Sequence, residues 1–339
     1  MTTLVTADWH LSSNPRDEYR WSFVNDTLPR LMNQHKVTNL LILGDITEVK
    51  DNHGSRLVNR IVERMVELSR MAHITVLYGN HDGKPGLPAF FRFLGEFSRI
   101  QYVDVPTVRE NGDLLFPYTP NWERDWHTYR ASHDGTIGLS GNFVFAHQTF
   151  EGARISRTRK MHGIPTDIFA DGANVISGDI HVPQDGKITY VGAPYTVDFG
   201  DDYEPRVILL GKSGRKSIPL KGPQKRLFEV TTVEDLRKQT KRAGMLRPGD
   251  VVKIRVLMNV EDAARFEETR AAIEAWGQER SCIVHSTVPI TELSVVKSKK
   301  LQESRGQRSD TRIVKDYSEQ VEADDMTKRA GLAIVQEVS

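Results

Sequence analysis

Five times within the first 181 residues, an apolar run stops at a metal-ligand type of side chain. "TLVTADWH" ends in Asp8 and His10, and "TNLLILGD" ends in Asp45. "HITVLYGNHD" ends in Asn80, His81 and Asp82, "NFVFAHQ" in His147, and "ANVISGDIH" in Asp179 and His181. The runs at 3–7, 38–44 and 73–79 read as strands. Helical patterns at 17–35 and 55–72 separate them, the second with Leu57, Ile61, Met65 and Leu68 on one face. This βαβα order requires a mostly parallel sheet packed against helices. Such a sheet gathers its functional residues beyond the carboxyl ends of its strands.

A chain of 339 residues exceeds one small domain and suits two. Its 38% hydrophobic and 27% charged content is that of a water-soluble globular protein. No apolar run approaches the roughly 20 residues of a membrane span, and no basic-then-apolar leader is visible at the start. Cys282 is the single cysteine, so no internal disulfide forms and a reducing, cytoplasmic setting is expected.

The net charge of +1, from 46 basic and 45 acidic residues, does not by itself imply an acidic partner. Two clusters stand out: 205–226, with seven Lys or Arg and no acid, and "ARISRTRK" at 153–160. Clustered cations can bind phosphate backbones, although solvated surface charge is the commoner account of any one such cluster.

After about residue 100 the pattern becomes short, β-rich and broken by Gly, Pro and Asn. The runs "RIQYVDV", "TVREN", "DLLFPY", "NFVFAHQ", "ANVISGDIH", "KITYVGAPY" and "RVILLG" point to a second sheet on the first. The expected fold is α/β, a four-layer αββα sandwich with a small C-terminal α+β cap. Pro219, Gly222 and Pro223 mark a boundary, giving domains at 1–222, 223–292 and a charged, partly helical tail at 293–339.

Each ligand motif alone is weak. Asp-x-His is usually structural, "GD" is common in turns, and a single buried His is usually a satisfied core residue. Their recurrence at five strand ends is what matters. His, Asp and Asn at open O/N sites suit Mn, Fe, Zn or Mg. Two ions about 3.5–4 Å apart, bridged by a carboxylate, form a hydrolytic clamp on phosphate.

The series "DWH", "GD", "GNHD", "AHQ", "GDIH" resembles the calcineurin-like metallophosphoesterase superfamily. With "YVGAPYTVDFGDDYEPRVILL" (190–210) it is most similar to the nuclease subunit of SbcCD-type double-strand-break repair complexes, phage-type versions included. The resemblance covers 1–210 well and weakens over 223–292, where that family carries a DNA-contacting cap.

It implies that Asp8, His10 and His181 hold one metal, that Asp45 bridges, and that Asn80, His147 and Asp179 hold the second. His81 then faces the scissile phosphate as a catalytic group, and Asp82 orients His81. A water activated by two divalent cations, Mn2+ first and Mg2+ as the alternative, attacks the phosphorus. The implied partners are DNA and an SMC-like coiled-coil ATPase gripped by the tail. A homodimer through the apolar face at 57–68 is a further expectation.

The chain departs from the family pattern in two places. Asp179 stands where a Gly-His-x-His motif has its first His, and an added carboxylate hardens that site. "ITEVKDNHGS" follows Asp45, where relatives carry an aromatic or His. Glu48 and His53 are candidate substrate contacts there, against solvated loop residues. Arg154, Arg157, Arg159, Lys160 and His162 are candidate substrate-binding residues. His35, His73, His127, His133 and His285 are read as structural. Trp122, Trp126 and Tyr129 read as a packed helix face or a base-stacking surface.

The leading function is thus a metal-dependent DNA exo- or endonuclease acting in recombination and repair. A stand-alone phosphodiesterase or phosphatase on nucleotides or phosphoproteins is the alternative within enzymes. A catalytically weak scaffold that keeps the fold is the alternative outside them.

Overall fold

A computed structural model describes residues 1–50, 52–84, 87–129, 135–138, 141–156, 159–201, 203–212, 214–241, 246–263 and 265–291. The expected tail at 293–339, Arg157 and His133 lie outside them. Two compact units are formed. One comprises Met1–Phe228, Thr240–Lys253 and Ala275–Ser286; the other comprises Glu229–Gln239, Ile254–Glu274 and a segment beginning at Thr287.

The first strands are β1 (Thr3–Thr6), β2 (Asn39–Leu43), β3 (His73–Leu77) and β4 (Ile100–Val103), paired parallel to one another in that order. The next are β5 (Thr107–Val108), β6 (Leu114–Phe116), β7 (Phe143–His147), β8 (Asn174–Gly178) and β9 (Ile188–Tyr190). Then follow β10 (Arg206–Gly211) and β11 (Gly214–Pro219). The six-stranded sheet runs β11-β10-β1-β2-β3-β4 and the five-stranded sheet runs β5-β6-β7-β8-β9.

"RIQYVDV" and "RVILLG", expected in the second sheet, are therefore β4 and β10 of the first. β4 extends the parallel set beside β3, while β10 returns antiparallel to β1.

Alternation along the strands sorts the core into layers. Leu4, Leu40, Ile42, Ile74 and Val76 face the helices of the first sheet. Val5, Leu41, Leu43 and Leu77 face inward, against Leu115, Phe145, Ile176 and Val191 of the second sheet. The outer face of the second sheet packs Phe116, Val144 and Val175 under Trp126, Phe150 and Phe169.

Helices α1 (Glu18–Ser22), α2 (Leu28–Gln34) and α3 (Ser55–Met71) cover the first sheet. Between α1 and α2, Phe23–Thr27 widens to a π-turn, and the Leu28 N–H bonds to the Phe23 carbonyl. Pro29 explains it: without an N–H, and with a ring that crowds the preceding turn, it favours the wider spacing.

Leu57, Ile61, Met65 and Leu68 of α3 are each at most 4% exposed. Burying each contributes roughly 1.5–3 kcal/mol. This face belongs to the chain's own core, so it is not the dimer surface that the sequence offered. The layer over the second sheet is thinner, with only α4 (Trp122–Asp125) and short 3-10 turns.

The remaining elements are β12 (Lys225–Val230), α5 (Val233–Thr240), β13 (Val251–Leu257), α6 (Val260–Ala263), α7 (Phe266–Glu279) and β14 (Ile283–Ile290). The three strands form a sheet in the order β12-β13-β14. No helix among the described residues is long and apolar enough to cross a membrane.

Much of the 205–226 charge is committed locally. Arg206 pairs with Asp185 at 2.6 Å, Lys225 lies 3.5 Å from Asp17, and Arg226 lies 3.6 Å from Asp250. Arg215 and Lys216 sit on β11, at the sheet edge, where charge discourages edge-to-edge pairing.

Candidate metal centre

The ligand-bearing ends of β1, β2, β3, β7 and β8 come together from both sheets. Two cross-sheet hydrogen bonds hold them. His147 Nδ1 donates to the Leu43 carbonyl at 2.6 Å, which turns Nε2 toward the centre. The Asp179 N–H donates to Asp8 Oδ1 at 3.0 Å. Gly44 explains the "GD" motif: its φ is +79°, and a Cβ there would lie 2.3 Å from His147 Nδ1.

Backbone strain collects at the same residues. Six non-glycine residues among those described have positive φ, and four of them are Asp8, His10, Asp45 and Asp179. Such conformations persist only where surrounding structure imposes them, and they concentrate at functional sites.

Three overlapping groups, Asp8–His10–His181, His10–Asp45–His81 and Asp8–Asp45–His147, each have ligand atoms within 4.8 Å of one another. Asp8, His10 and Asp45 each belong to two of them, and Asp45 turns one oxygen to each side. Its Oδ2 lies 3.6 Å from His10 Nε2, and its Oδ1 lies 3.5 Å from His147 Nε2. One carboxylate thus faces two donor sets, as a bridge requires. Asp179 Oδ1 lies 3.8 Å from His147 Nε2. His10 and His181 bring their Nε2 atoms within 3.0 Å.

Orphaned atoms test whether this set suits cations. Asp8 Oδ2, Asn80 Oδ1 and His147 Nε2 are buried without a hydrogen-bond partner. Buried polar atoms are rarely left so. Carboxylate, amide oxygen and imidazole donors together fit divalent ions of intermediate hardness.

The electrostatics agree. Burial and the charges of Asp45 and Asp179 raise the Asp8 pKa, against the pull of His147. Burial alone would raise Asp45 too, but His147, His10 and His81 outweigh it and hold its pKa low. For His147, burial opposes protonation, yet Asp45, Asp179 and Asp8 raise its pKa well above the ordinary value.

A pH dependence follows. Metal binding requires a neutral His147, and its raised pKa favours the protonated form in the metal-free protein. Affinity should rise with pH toward that pKa, with proton release on binding. Calorimetric metal titration in two buffers of different ionisation enthalpy checks both.

His81 and Asp82 are positioned differently from the expectation. Asp82 does not orient the His81 ring. Its buried carboxylate accepts from the N–H groups of Asp45 (2.9 Å), Ile46 (2.9 Å) and Gly79 (2.8 Å). It buckles the loops after β2 and β3 together. Burial and the Asp45 charge raise its pKa to about 7, against the Gly79 and Ile46 N–H groups and His147.

His81 is instead held by Glu48, whose carbonyl accepts from Nδ1 at 2.8 Å. Nε2 is then the ring nitrogen left for chemistry.

In sequence, Glu48 read as a candidate substrate contact or a solvated loop acid three residues after Asp45. Its Oε2 accepts from the buried Arg20 at 2.6 Å and lies 3.7 Å from His10 Nδ1. Arg20 also donates to the His10 carbonyl. One residue thus supports both histidines while its side chain stays 39% exposed. Glu48→Ala should weaken metal binding about 10- to 100-fold, as loss of an outer carboxylate generally does; equilibrium dialysis measures it.

His53 packs against Phe90 and Phe91, with ring centroids 4.5 and 5.1 Å away. Trp126 is fully buried and stacks on Phe116.

Two clefts open at Asn80. One, about 630 Å3, includes Lys50, Tyr78, Lys84 and Tyr118; the other, about 530 Å3, includes Asp179, Trp122, Ile155 and Met161. Arg154, Arg159, Lys160 and His162 are exposed on the loop that walls the second cleft. They are not among the buried donors.

A family model described as "Calcineurin-like phosphoesterase" matches residues 1–211. The chain belongs to the calcineurin-like phosphoesterase family. The match covers the five-stranded sheet, all of the six-stranded sheet but β11, and every donor of the centre.

Among solved structures, the chain is similar to the nuclease MPE of Pseudomonas putida. The identity is 18% over 64% of this chain and 87% of that one, with a TM-score of 0.34. It is also similar to YfcE, a phosphoesterase from E. coli, at 15% identity over 62% and 89%, with a TM-score of 0.30. Neither overlap bears on substrate. No curated protein matches the chain. Metallophosphoesterases use divalent metals, and this member has the Asp and His donors to hold them.

Proposed function

We propose that this calcineurin-like phosphoesterase is a metal-dependent DNA nuclease subunit that uses two divalent cations, Mn2+ first and Mg2+ as the alternative. The observation that carries the reading is the double-faced Asp45, with His10 on one oxygen and His147 on the other. Asp8, His10 and His181 would hold one ion. Asn80, His147 and Asp179 would hold the other, with Asp45 between. Bound there, the ions supply Lewis-acid charge to the phosphate and acidify an attacking water.

The chain's own part is positional. Asp82 fixes the loops that carry Asp45 and Asn80. Glu48 fixes His81 so that Nε2 can reach a leaving oxygen and, when protonated, donate to it. The clefts on either side of Asn80 leave room for both flanks of a phosphodiester.

DNA is supported by the sequence resemblance to SbcCD-type subunits and by the basic loop beside the site. The same resemblance supports an SMC-like ATPase partner bound through 293–339. The internal pairing of Arg206, Lys225 and Arg226 favours a second reading, a stand-alone phosphodiesterase on smaller substrates.

The test is cleavage of linear duplex and single-stranded DNA with Mn2+, beside a nucleotide p-nitrophenyl diester. DNA cleavage lost in Asp8→Ala and His81→Ala supports the nuclease. Cleavage of the diester alone supports the second reading.

A further inference from the structure

The described residues of the loop, 149–156 and 159–164, build something that phosphate hydrolysis does not itself require. The loop folds back on itself: the Ile164 N–H bonds to the Thr149 carbonyl at 3.0 Å, and the Met161 N–H bonds to the Ala153 carbonyl at 2.7 Å. Gln184 bonds to both main-chain groups of Arg154, at 2.9 and 2.7 Å. The Phe150 N–H bonds to the Tyr190 hydroxyl at 2.7 Å. Gly163 lets the strands of the loop close, since a Cβ there would lie 2.3 Å from the Thr149 carbonyl oxygen. The loop is therefore a fixed wall.

The wall faces a cleft of about 530 Å3 that reaches Asn80 and Asp179. Its lining is mixed: Trp122, Ile155 and Met161 are half-buried and Ile164 and Ile180 buried, beside the polar Thr119, Gln148 and Thr149. The same loop carries the exposed Arg154, Arg159 and Lys160, which do not line the cleft. An aromatic and aliphatic wall on a loop that also carries cations is a pattern that takes a base and tracks a phosphate backbone. Its volume is that of a site for one small molecule, roughly 300–1,000 Å3. A base held inside it cannot remain paired and stacked in a duplex.

We propose that this cleft binds the unpaired nucleobase attached to the scissile phosphate, with Trp122, Ile155 and Met161 as its walls. This rests on the phosphodiesterase reading above and adds the recognised group. Trp122 is then a specificity residue, and the loop cations hold the neighbouring phosphates without regard to base.

Two measurements test it with the full chain. In the first, Mn2+-loaded His81→Ala, in which turnover is slowed, is titrated within the time before cleavage with oligothymidylate and with an abasic oligomer of equal length. The base-bearing oligomer should bind about tenfold tighter, the scale of one lost stack. Adding Trp122→Ala should erase that difference, and Trp122→Phe should keep most of it. Arg159→Ala should weaken both oligomers alike. Met161→Ala, on the loop rather than on α4, should also shrink the difference, and thermal unfolding of each variant checks that it is folded.

In the second, wild-type KM for thymidine p-nitrophenyl phosphate is compared with that for methyl p-nitrophenyl phosphate. The thymidine ester should be favoured, and Trp122→Ala should raise its KM alone. Equal binding of the two oligomers, or equal KM for the two esters, overturns the pocket. Discrimination between the esters without DNA cleavage would keep the pocket and reject the nuclease.

Discussion

His81→Ala is expected to lower kcat by about 10^2–10^4, the usual range for removing a general acid, with metal content and folding unchanged. The expectation comes from the ring's fixed orientation. Nδ1 donates to the Glu48 carbonyl at 2.8 Å, so Nε2 is the nitrogen available to substrate. If Nε2 gives a proton to the leaving oxygen, the loss depends on the leaving group. A p-nitrophenolate leaves without protonation, so its diester should suffer far less than an alkyl diester. Equal losses on the two would assign His81 to charge stabilisation alone. No loss on either would remove it from the reaction.

The second large effect is on stability. Asp82→Ala leaves the buried N–H groups of Asp45, Ile46 and Gly79 without their acceptor. Each unsatisfied group costs about 1–3 kcal/mol. The sum should reach about 3–5 kcal/mol, in the range that marks a specific broken network. For a domain of this size that lowers Tm by roughly 10 °C. Asp82→Asn should fare little better, because its NH2 must face donors. Metal affinity should fall with stability, since Asp45 and Asn80 ride on the two loops. If Asp82 instead oriented His81, kcat would fall while Tm stayed put. Thermal unfolding beside steady-state kinetics separates the two.

The strand ends were legible because metal ligands are chemically conspicuous against apolar runs. Asp8, His10, Asp45, His147 and His181 do converge, and β1, β2, β3, β7 and β8 lie where the runs placed them. Sheet membership was not legible: the runs that became β4 and β10 have the same apolar character as their neighbours, and only tertiary pairing assigns them. The α3 stripe looked like an interface because a core face and a dimer face have the same periodicity. Asp82 was misassigned because sequence adjacency to His81 says nothing about which N–H groups a folded carboxylate meets. Glu48 looked like a solvated acid because Arg20, its partner, lies 28 residues away. The positive φ at Asp8, His10, Asp45 and Asp179 leaves no compositional trace beyond the Asp and His residues that tolerate it.

The most direct measurement is the number of Mn2+ ions bound per chain, by calorimetry and elemental analysis, in wild type, Asp179→Ala and Asp45→Ala. The wild type should bind two. Asp179→Ala should keep one tightly and lose or weaken the other. Asp45→Ala should impair both, because its two oxygens face both donor sets. One ion or none in the wild type, or an Asp45→Ala variant that still binds two as tightly, would contradict the two-cation centre.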